Sequence, residues 1–326
     1  MTDLETYVRY FMNLRRAPGR VWGEATHHLA PHKPLLLLSV LDMAERGSLT
    51  SSIIYIDKNL YELNELFTNY WRQIIPLSQK SSIAFPFSRL RNEPFWNLIP
   101  FDGNKITSEA VNNITSVSEL EKWANAAQLD EPLYELMMDK FSRSTLRNAL
   151  LEAHFSPKAS QALQKQAVMN GLAWGYAEKL AEMAHEPLVE KVLQEREVAQ
   201  PIRDAGFKTA VVRAYDHRCA LCGVRILTTE GHTCVDAAHI EPWSESHNDD
   251  IRNGMALCKL CHWAFDNAMA AVGQKYEVMI SNQVQQAPNT AGSLLALQGR
   301  GLIGPEDQKI WPYLPYLANH RKGFAG

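Results

Sequence analysis

All five cysteines of the chain lie after position 218, between residues 219 and 261. Cys219 and Cys222 form one Cys-x-x-Cys unit, and Cys258 and Cys261 form another. In a reducing compartment two such units indicate a metal site and not disulfide bonds. Four thiolates match the tetrahedral preference of Zn²⁺, and a site closed by four cysteines is structural. We therefore predict a structural zinc site, with four ordinary buried cysteines as the alternative, and we assign no role to Cys234.

A second set of reactive residue types lies among these cysteines. His239 belongs to the segment VDAAHIEPW (235–243), Asn253 opens NGMALC (253–258), and His262 belongs to CHWAFD (261–266). In order, in spacing and in the interleaved Cys-x-x-Cys units, these segments resemble the HNH nuclease family. The resemblance covers roughly residues 203–270. It implies a ββα-metal core, in which two strands and a helix surround one divalent ion.

The resemblance also implies a role for each matched residue in hydrolysing a phosphodiester to a 5′-phosphate and a 3′-hydroxyl. His239 would be the general base, since a neutral imidazole accepts a proton from water near pH 7. Asn253 would hold the intervening loop and so orient that base. His262 would bind the catalytic ion, and Asp266 lies one helical turn later on the same face. We expect Mg²⁺ or Mn²⁺ at this site, although imidazole also admits Ni²⁺ or Co²⁺.

One position departs from the family pattern. Many members carry a histidine or aspartate directly before the base histidine as a metal ligand, and this sequence has Ala238 there. Asp236 lies two residues earlier on the same predicted strand, so it shares the face of position 238. We predict that Asp236 reaches the catalytic ion directly or through water. The alternative for the whole region is a non-catalytic, zinc-stabilised module that binds DNA or a protein partner.

Two segments of the N-terminal half carry a second resemblance. The segments are PHKPLLLLSVLDMAER (31–46) and FPFSRL (85–90), the latter followed by FWNL (95–98). They resemble sulfur-binding domains over about residues 5–105. That family recognises phosphorothioate DNA, in which sulfur replaces one non-bridging backbone oxygen. Its fusion to an HNH unit implies a modification-dependent, McrA-type (type IV) restriction enzyme that acts on double-stranded DNA.

Four residues match the modification-binding positions of this second family. Phe85 and Pro86 match its pocket-forming pair of an aromatic residue and a proline. Sulfur is larger and less well hydrated than oxygen, so an apolar pocket favours it by ~1 kcal/mol. His32 and Lys33 match the basic pair that contacts the modified phosphate, where charge-assisted hydrogen bonds position the DNA backbone.

Two arginines are further candidates for phosphate contacts, Arg89 and Arg91. The family has a small pocket residue near the position of Arg89. Two other functions stay open for the N-terminal half. One is recognition of methylated or hydroxymethylated bases, which requires a deep aromatic cage for a flipped or probed base. The other is binding of a protein partner.

Length and composition limit the class of protein. A chain of 326 residues argues for two domains, and 46% hydrophobic with 21% charged residues is typical of a globular protein. The apolar run at Leu35 to Leu38, even with its flanks, is far short of the ~20 residues that a membrane span needs. We see no secretory signal and expect a cytoplasmic protein without a membrane partner. The net charge of −3 implies that any DNA binding depends on local positive patches.

The predicted fold class is α+β. We expect a mainly helical DNA-recognition domain at 1–155, a helical linker at 156–200, and a C-terminal ββα-metal HNH domain with its four-cysteine zinc site at 201–326. A homodimer is consistent with this architecture, because one HNH site cuts one strand and a double-strand break needs two cuts.

Local patterns predict several elements within these domains. Residues 35–44 form a helix ended by Gly47, and Pro34 suits its first turn. Residues 117–153 have helical periodicity, with a capping box at Ser118 and Glu121. Residues 83–98 are interrupted by Pro86 and Pro94 and are predicted to be a loop or strand edge. Further expectations are a strand at 53–56, a helix at 204–215 and a strand at 276–280.

Overall fold

A computed structural model describes residues 3–101, 106–185, 198–228, 232–286 and 294–324. The chain folds into two compact units, one comprising 1–171 with 228–232 and the other 172–227 with 233–326. The predicted α+β class is confirmed, with 57% of the described residues in helices and with small sheets. Among the helices of the described ranges, none has both the length and the apolar character to cross a membrane.

The first unit is mainly helical and contains one small sheet. Its three strands pair antiparallel in the order β1-β3-β2, so β3 is central. The strands are β1 Ile53–Tyr55, β2 Trp96–Pro100 and β3 Ala124–Leu129. The helices are α1 Asp3–Met12, α2 His32–Arg46, α3 Ile56–Ile74, α4 Ala84–Arg89, α5 Ser108–Asn113, α6 Val117–Trp123, α7 Glu131–Met138, α8 Lys140–His154 and the first part of α9 Pro157–Met183.

Helix α2 lies at the centre of this unit. The four leucines 35–38 are at most 1% exposed, so they belong to the core, as the sequence predicts. Pro34 lies in the first helical turn. The N–H groups of that turn have no intrahelical acceptor, so a proline there costs no helical hydrogen bond. Gly47 ends the helix in the left-handed conformation (φ 73°), and its N–H bonds back to the last turn.

The segment 117–153 differs from the single helical region expected. It forms α6, strand β3 and helices α7 and α8. The alanine-rich run 124–129 fits a helical period, but it pairs with strands on both sides, and this tertiary pairing overrides the local propensity. The capping box consists of Ser116 and Glu119 rather than Ser118 and Glu121.

The segment 83–98 also differs from the loop or strand edge expected. Residues Ala84–Arg89 form α4, and β2 follows at Trp96–Pro100. Pro86 is the third residue of α4, and the first helical hydrogen bond begins with the N–H of Phe87 on Ile83. The proline therefore removes no donor that the helix uses.

The second unit contains the cysteines and a ββα core. It includes the end of α9 and the helices α10 Gln200–Ala214, α11 Trp243–Ser246, α12 Lys259–Asp266, α13 Asn282–Gln286 and α14 Leu314–His320. Its strands form two antiparallel pairs, β4 Val235–His239 with β5 Gly254–Cys258 and β6 Ala270–Val272 with β7 Val278–Ile280. Strand β5 leads directly into α12, which completes the expected two strands and a helix.

The boundary between the units falls inside α9, between residues 171 and 172. From the sequence we expect a linker at 156–200 instead. In the structure, Pro157–Met183 of that range is one helix, and α10 begins at Gln200. Residues 186–197 of the expected linker lie outside the described residues.

Close packing of α10 on the β4–β5 pair depends on one glycine. Gly254 lies opposite His239 in the strand register. A Cβ at this position would lie 2.5 Å from the Val211 side chain and 3.0 Å from the Phe207 ring. Only glycine therefore lets α10 approach the strand end where His239 lies.

Candidate functional site

The four cysteines of the two Cys-x-x-Cys units meet at one point of the second unit. Their sulfur atoms all lie within 4.8 Å of one another, and Cys222 Sγ and Cys258 Sγ are 3.8 Å apart. Zinc–sulfur bonds of ~2.3 Å in a tetrahedron place the sulfurs ~3.8 Å apart, so these residues fit a Zn²⁺ ion. Cys234 lies outside the cluster, and its sulfur accepts a hydrogen bond from the Ile226 N–H.

His239 lies at the end of β4 and is fixed from two sides. Its Nε2 is 2.7 Å from Asp249 Oδ1, and its ring stacks on the Phe207 ring at 3.9 Å with an interplanar angle of 4°. The side chain is 22% exposed. Within the described ranges its Nδ1 has no hydrogen-bond partner. The imidazole is thus held on Nε2, while Nδ1 is left for a ligand or water.

Asp249 is 3% exposed and carries three interactions. Besides His239, its carboxylate accepts hydrogen bonds from Arg203 Nη1 at 3.0 Å and from the Tyr176 hydroxyl at 3.1 Å. The sequence alone did not identify Asp249, Arg203, Tyr176 or Phe207. These four residues come from α9, α10 and a loop, and no spacing in the sequence relates them.

Asn253 is fully buried and fastens the loop after β4. Its amide nitrogen donates to the carbonyl oxygens of Glu241 and Asn248, and its amide oxygen accepts from the Glu241 N–H. The residue therefore holds both ends of the segment 241–248. These bonds hold the loop, and the orientation of the base expected from them stays a prediction.

His262 and Asp266 lie one turn apart on α12, on the same face as predicted. His262 Nε2 and Asp266 Oδ2 are 3.4 Å apart, and both side chains are partly exposed. An imidazole and a carboxylate at an open surface fit a divalent ion that completes its coordination with water and phosphate oxygens.

Asp236 does not form a cluster of potential metal ligands with His262 and Asp266. Its carboxylate pairs with Lys208 at 2.6 Å and Lys259 at 2.7 Å. Burial raises the pKa of Asp236, but the two lysines outweigh burial and hold that pKa below its usual value. In the part of the chain that the structure describes, the four cysteines are the only cluster of three or more potential ligands, so Asp236 forms none with His262 and Asp266.

The first unit contains a cavity of about 540 Å³ that brings together all six residues predicted to bind DNA. Its full lining is Arg15, Arg16, Ala17, Trp22, Ala30, His32, Lys33, Phe85, Pro86, Arg89, Arg91, Asn92, Val111 and Asn112. The described lining includes five cationic residues and no carboxylate. Trp22, Arg15 and Arg16 were not among the predicted site residues, although the Arg-Arg pair is visible in the sequence.

His32 is a neutral part of the cavity wall. Its ring packs 4.9 Å from both the Trp71 and the Phe85 rings. Burial, together with the charge of Arg89, lowers the pKa of His32 to about 4. Its Nδ1 is buried without a hydrogen-bond partner within the described part of the chain. In the free protein at neutral pH the predicted basic pair is therefore cationic only at Lys33, and the neutral His32 ring can donate a hydrogen bond to a phosphate.

The cations of the cavity are held in place by the protein. Lys33 is 9% exposed, and its Nζ lies 2.5 Å from Glu93 Oε1, so its charge is already paired. The Arg89 guanidinium lies 3.7 Å from the centre of the Phe85 ring and donates to backbone carbonyl oxygens of residues 112 and 114. Arg91 donates to the carbonyl oxygens of residues 106 and 107. Among the described residues, neither guanidinium forms an ion pair with a carboxylate, so neither charge is neutralised there.

Comparison with known proteins finds one family model that matches part of the second unit and one that matches most of the first. Residues 219–273 match the model of the HNH endonuclease family HNH_2. Residues 18–171 match the model described as "ScoMcrA-like, DNA sulfur-binding domain". Both resemblances found in the sequence are thereby confirmed. The chain thus contains one segment that matches a DNA sulfur-binding domain model and another that matches an HNH endonuclease model.

Two solved structures match parts of this chain. One is titled "Modification dependent TagI restriction endonuclease", with 23% identity over 40% of this chain and a TM-score of 0.30; the match spans 41% of that chain's length. The other is titled "Sulfur binding domain of SprMcrA complexed with phosphorothioated DNA", with 18% identity over 51% of this chain and 94% of that chain, and a TM-score of 0.39. No curated protein sequence matches the chain.

Proposed function

We propose that this protein is a modification-dependent DNA endonuclease that recognises phosphorothioate-modified double-stranded DNA and hydrolyses its phosphodiester bonds. The observation that carries the proposal is the cavity of the first unit. It combines an aromatic–proline wall at Phe85 and Pro86 with arginines that form no ion pair among the described residues, inside a domain that matches the sulfur-binding family. A soft, poorly hydrated sulfur would pack on the apolar wall, and the cations would hold the neighbouring phosphates.

The second unit supplies the proposed cleavage chemistry. His239 takes the proton of the attacking water, and Asn253 fixes the loop beside it. His262 and Asp266 would hold a divalent ion, Mg²⁺ or Mn²⁺, which when bound neutralises charge on the phosphate and makes water more acidic. We leave Asp236 out of this ligand set because Lys208 and Lys259 already occupy its carboxylate. The four-cysteine site would hold a structural zinc ion.

The proposal extends to assembly and location. One catalytic site cleaves one strand, so a double-strand break requires two active sites, and a homodimer would supply them. A restriction function places the protein in the cytoplasm, where it meets incoming DNA.

Binding of matched duplexes tests the recognition step. The duplexes share one sequence and carry oxygen, or sulfur in either of the two configurations, at a single phosphate. The full-length His239→Ala protein is used so that no DNA is cut. We expect about fivefold tighter binding of one sulfur configuration, the effect of ~1 kcal/mol from one buried apolar group. Phe85→Ala should remove this preference, because it removes the aromatic wall.

Phe141→Ala is the matched control for this experiment. Phe141 lies on α8, is 75% exposed and does not line the cavity, so the same truncation should keep the sulfur preference. Equal affinity for all three duplexes would contradict the sulfur assignment. Tighter binding of a duplex with methylated or hydroxymethylated bases would favour recognition of a base instead.

A further inference from the structure

We propose that Asp249 is a positioning residue that fixes the tautomer of His239, so that Nδ1 is the nitrogen that accepts the proton of the attacking water. The proposal rests on the nuclease function proposed above and assigns the reactive atom within it. His239 belongs to the expected nuclease motif, whereas Asp249 has no part in the motif residues.

The geometry determines which nitrogen carries the proton. A carboxylate only accepts hydrogen bonds, so His239 Nε2, 2.7 Å from Asp249 Oδ1, must be the protonated nitrogen of the neutral ring. Nδ1 then carries the lone pair. Rotating the ring by half a turn about its Cβ–Cγ bond would place carbon where Nε2 now lies, and the bond to Asp249 would be lost. The carboxylate therefore selects both the tautomer and the ring orientation.

Two buried donors fix the direction of this carboxylate. Arg203 and the Tyr176 hydroxyl both donate to Oδ2, which leaves Oδ1 for the imidazole. Arg203 is itself fixed, because its guanidinium lies 3.6 Å from the centre of the Trp243 ring and its second nitrogen pairs with Asp204. The described charged and titratable groups at Asp249 are thus one arginine, one tyrosine and His239.

Packing completes the restraint on His239. The Phe207 ring lies flat against the imidazole at 3.9 Å and blocks movement on that face. Asn253 acts on the same pair from the loop side, because its bond to the Asn248 carbonyl holds the residue directly before Asp249. Asn253 therefore helps to position His239 indirectly, by holding the loop that carries the Asp249 carboxylate.

The proposed step breaks and forms the following bonds. A water O–H bond breaks, its proton binds the lone pair of His239 Nδ1, and the hydroxide oxygen forms a bond to phosphorus. The bond from phosphorus to the 3′-oxygen breaks with its electron pair on that oxygen, which takes a proton from solvent. Asp249 keeps its hydrogen bond to Nε2 throughout and stabilises the imidazolium that forms.

The Asp249→Asn variant tests the assignment, because the surroundings decide how the new amide lies. Arg203 and Tyr176 are both donors, so they require the amide oxygen on their side. The amide nitrogen then faces His239 Nε2 as a donor. Nε2 must accept, the ring proton moves to Nδ1, and the base is blocked although the side-chain size is unchanged.

Two readouts are measured on the full-length protein. A long-range ¹H–¹⁵N spectrum of the free protein, with His239→Ala assigning the signal, should show an Nε2–H tautomer in the wild type and an Nδ1–H tautomer in Asp249→Asn. The single-turnover cleavage rate should fall about 10²- to 10⁴-fold in that variant. DNA affinity should stay within about threefold, the scale of an ordinary surface change.

Asp216→Asn is the matched control. Asp216 is exposed in the same unit, pairs with Arg225 and has a positive φ that asparagine tolerates well. It should keep both the tautomer and the rate. An Nδ1–H tautomer in the wild type, or an Asp249→Asn variant with the wild-type tautomer or rate, would overturn the proposal. Failure of the wild type to cut any DNA would refute the nuclease function, while the wild-type spectrum would still decide the tautomer.

Discussion

The His239→Ala variant is expected to cleave DNA about 10³-fold more slowly than the wild type, or slower still. A positioned general base accelerates a reaction by about 10²- to 10⁴-fold, and alanine also frees Asp249 from its imidazole partner. Binding of DNA should change little, because the cavity of the first unit is untouched. Single-turnover cleavage with saturating protein separates the rate of chemistry from affinity.

His185→Ala is the control for this measurement. His185 lies in the same unit, is partly exposed and pairs only weakly with Asp307, at 3.4 Å. Its removal should leave the cleavage rate within about threefold of the wild type. If His239→Ala cut DNA at the wild-type rate, the second unit would be a zinc-stabilised binding module and not the nuclease proposed here.

The second large effect is expected at the cysteine cluster. Cys261→Ser should lose the bound zinc and unfold the second unit at ordinary temperature. Apparent zinc-binding free energies of ~10–16 kcal/mol are comparable to the total stability of a domain, ~5–15 kcal/mol. The cluster joins the turn after α10 to the junction of β5 and α12, so its loss separates the elements that carry the motif.

Zinc content by elemental analysis and thermal unfolding with and without a chelator check this prediction. Cys234→Ser is the matched control, because Cys234 lies outside the cluster and serine can accept the same hydrogen bond from the Ile226 N–H. It should retain one zinc per chain and unfold like the wild type. Full zinc content and wild-type stability in Cys261→Ser would exclude the four-cysteine site.

The sequence predicts the motif region well because its residues are close along the chain. Strand β5 runs from Gly254 to Cys258 directly into α12, so Asn253 and His262 keep a fixed relation in one strand–helix unit. The two Cys-x-x-Cys units add a second constraint, since four thiolates with this spacing have few other uses. Helix α2 is predictable for the same reason, because its leucine run and terminal Gly47 are close along the chain and specify a buried helix.

Tertiary pairing explains what the sequence could not predict. Asp249 and Asp250 are adjacent and alike in the sequence, and only the approach of Arg203 and Tyr176 distinguishes the residue that holds His239. The sequence predicts Asp236 as a metal ligand because it shares a strand face with position 238, where many family members carry such a ligand. Lys208, from another element, and Lys259 engage its carboxylate instead.

The cavity contains residues whose positions the sequence indicated and whose charge states only the structure shows. All six residues chosen from the resemblance line it, and their contact with DNA stays a prediction. Their charge states required the structure, because Glu93 neutralises Lys33 from sixty positions away and burial among aromatic rings keeps His32 neutral. The positive character of the cavity therefore depends on its arginines more than on the basic pair.

Cleavage of two plasmids that differ only in phosphorothioate modification tests the central claim most directly. Each is incubated with the wild-type protein and Mg²⁺ or Mn²⁺, and with His239→Ala in parallel. We predict cutting of the modified plasmid alone, lost in the variant. Equal cutting of both plasmids, still lost in the variant, would retain the nuclease and contradict sulfur-dependent recognition.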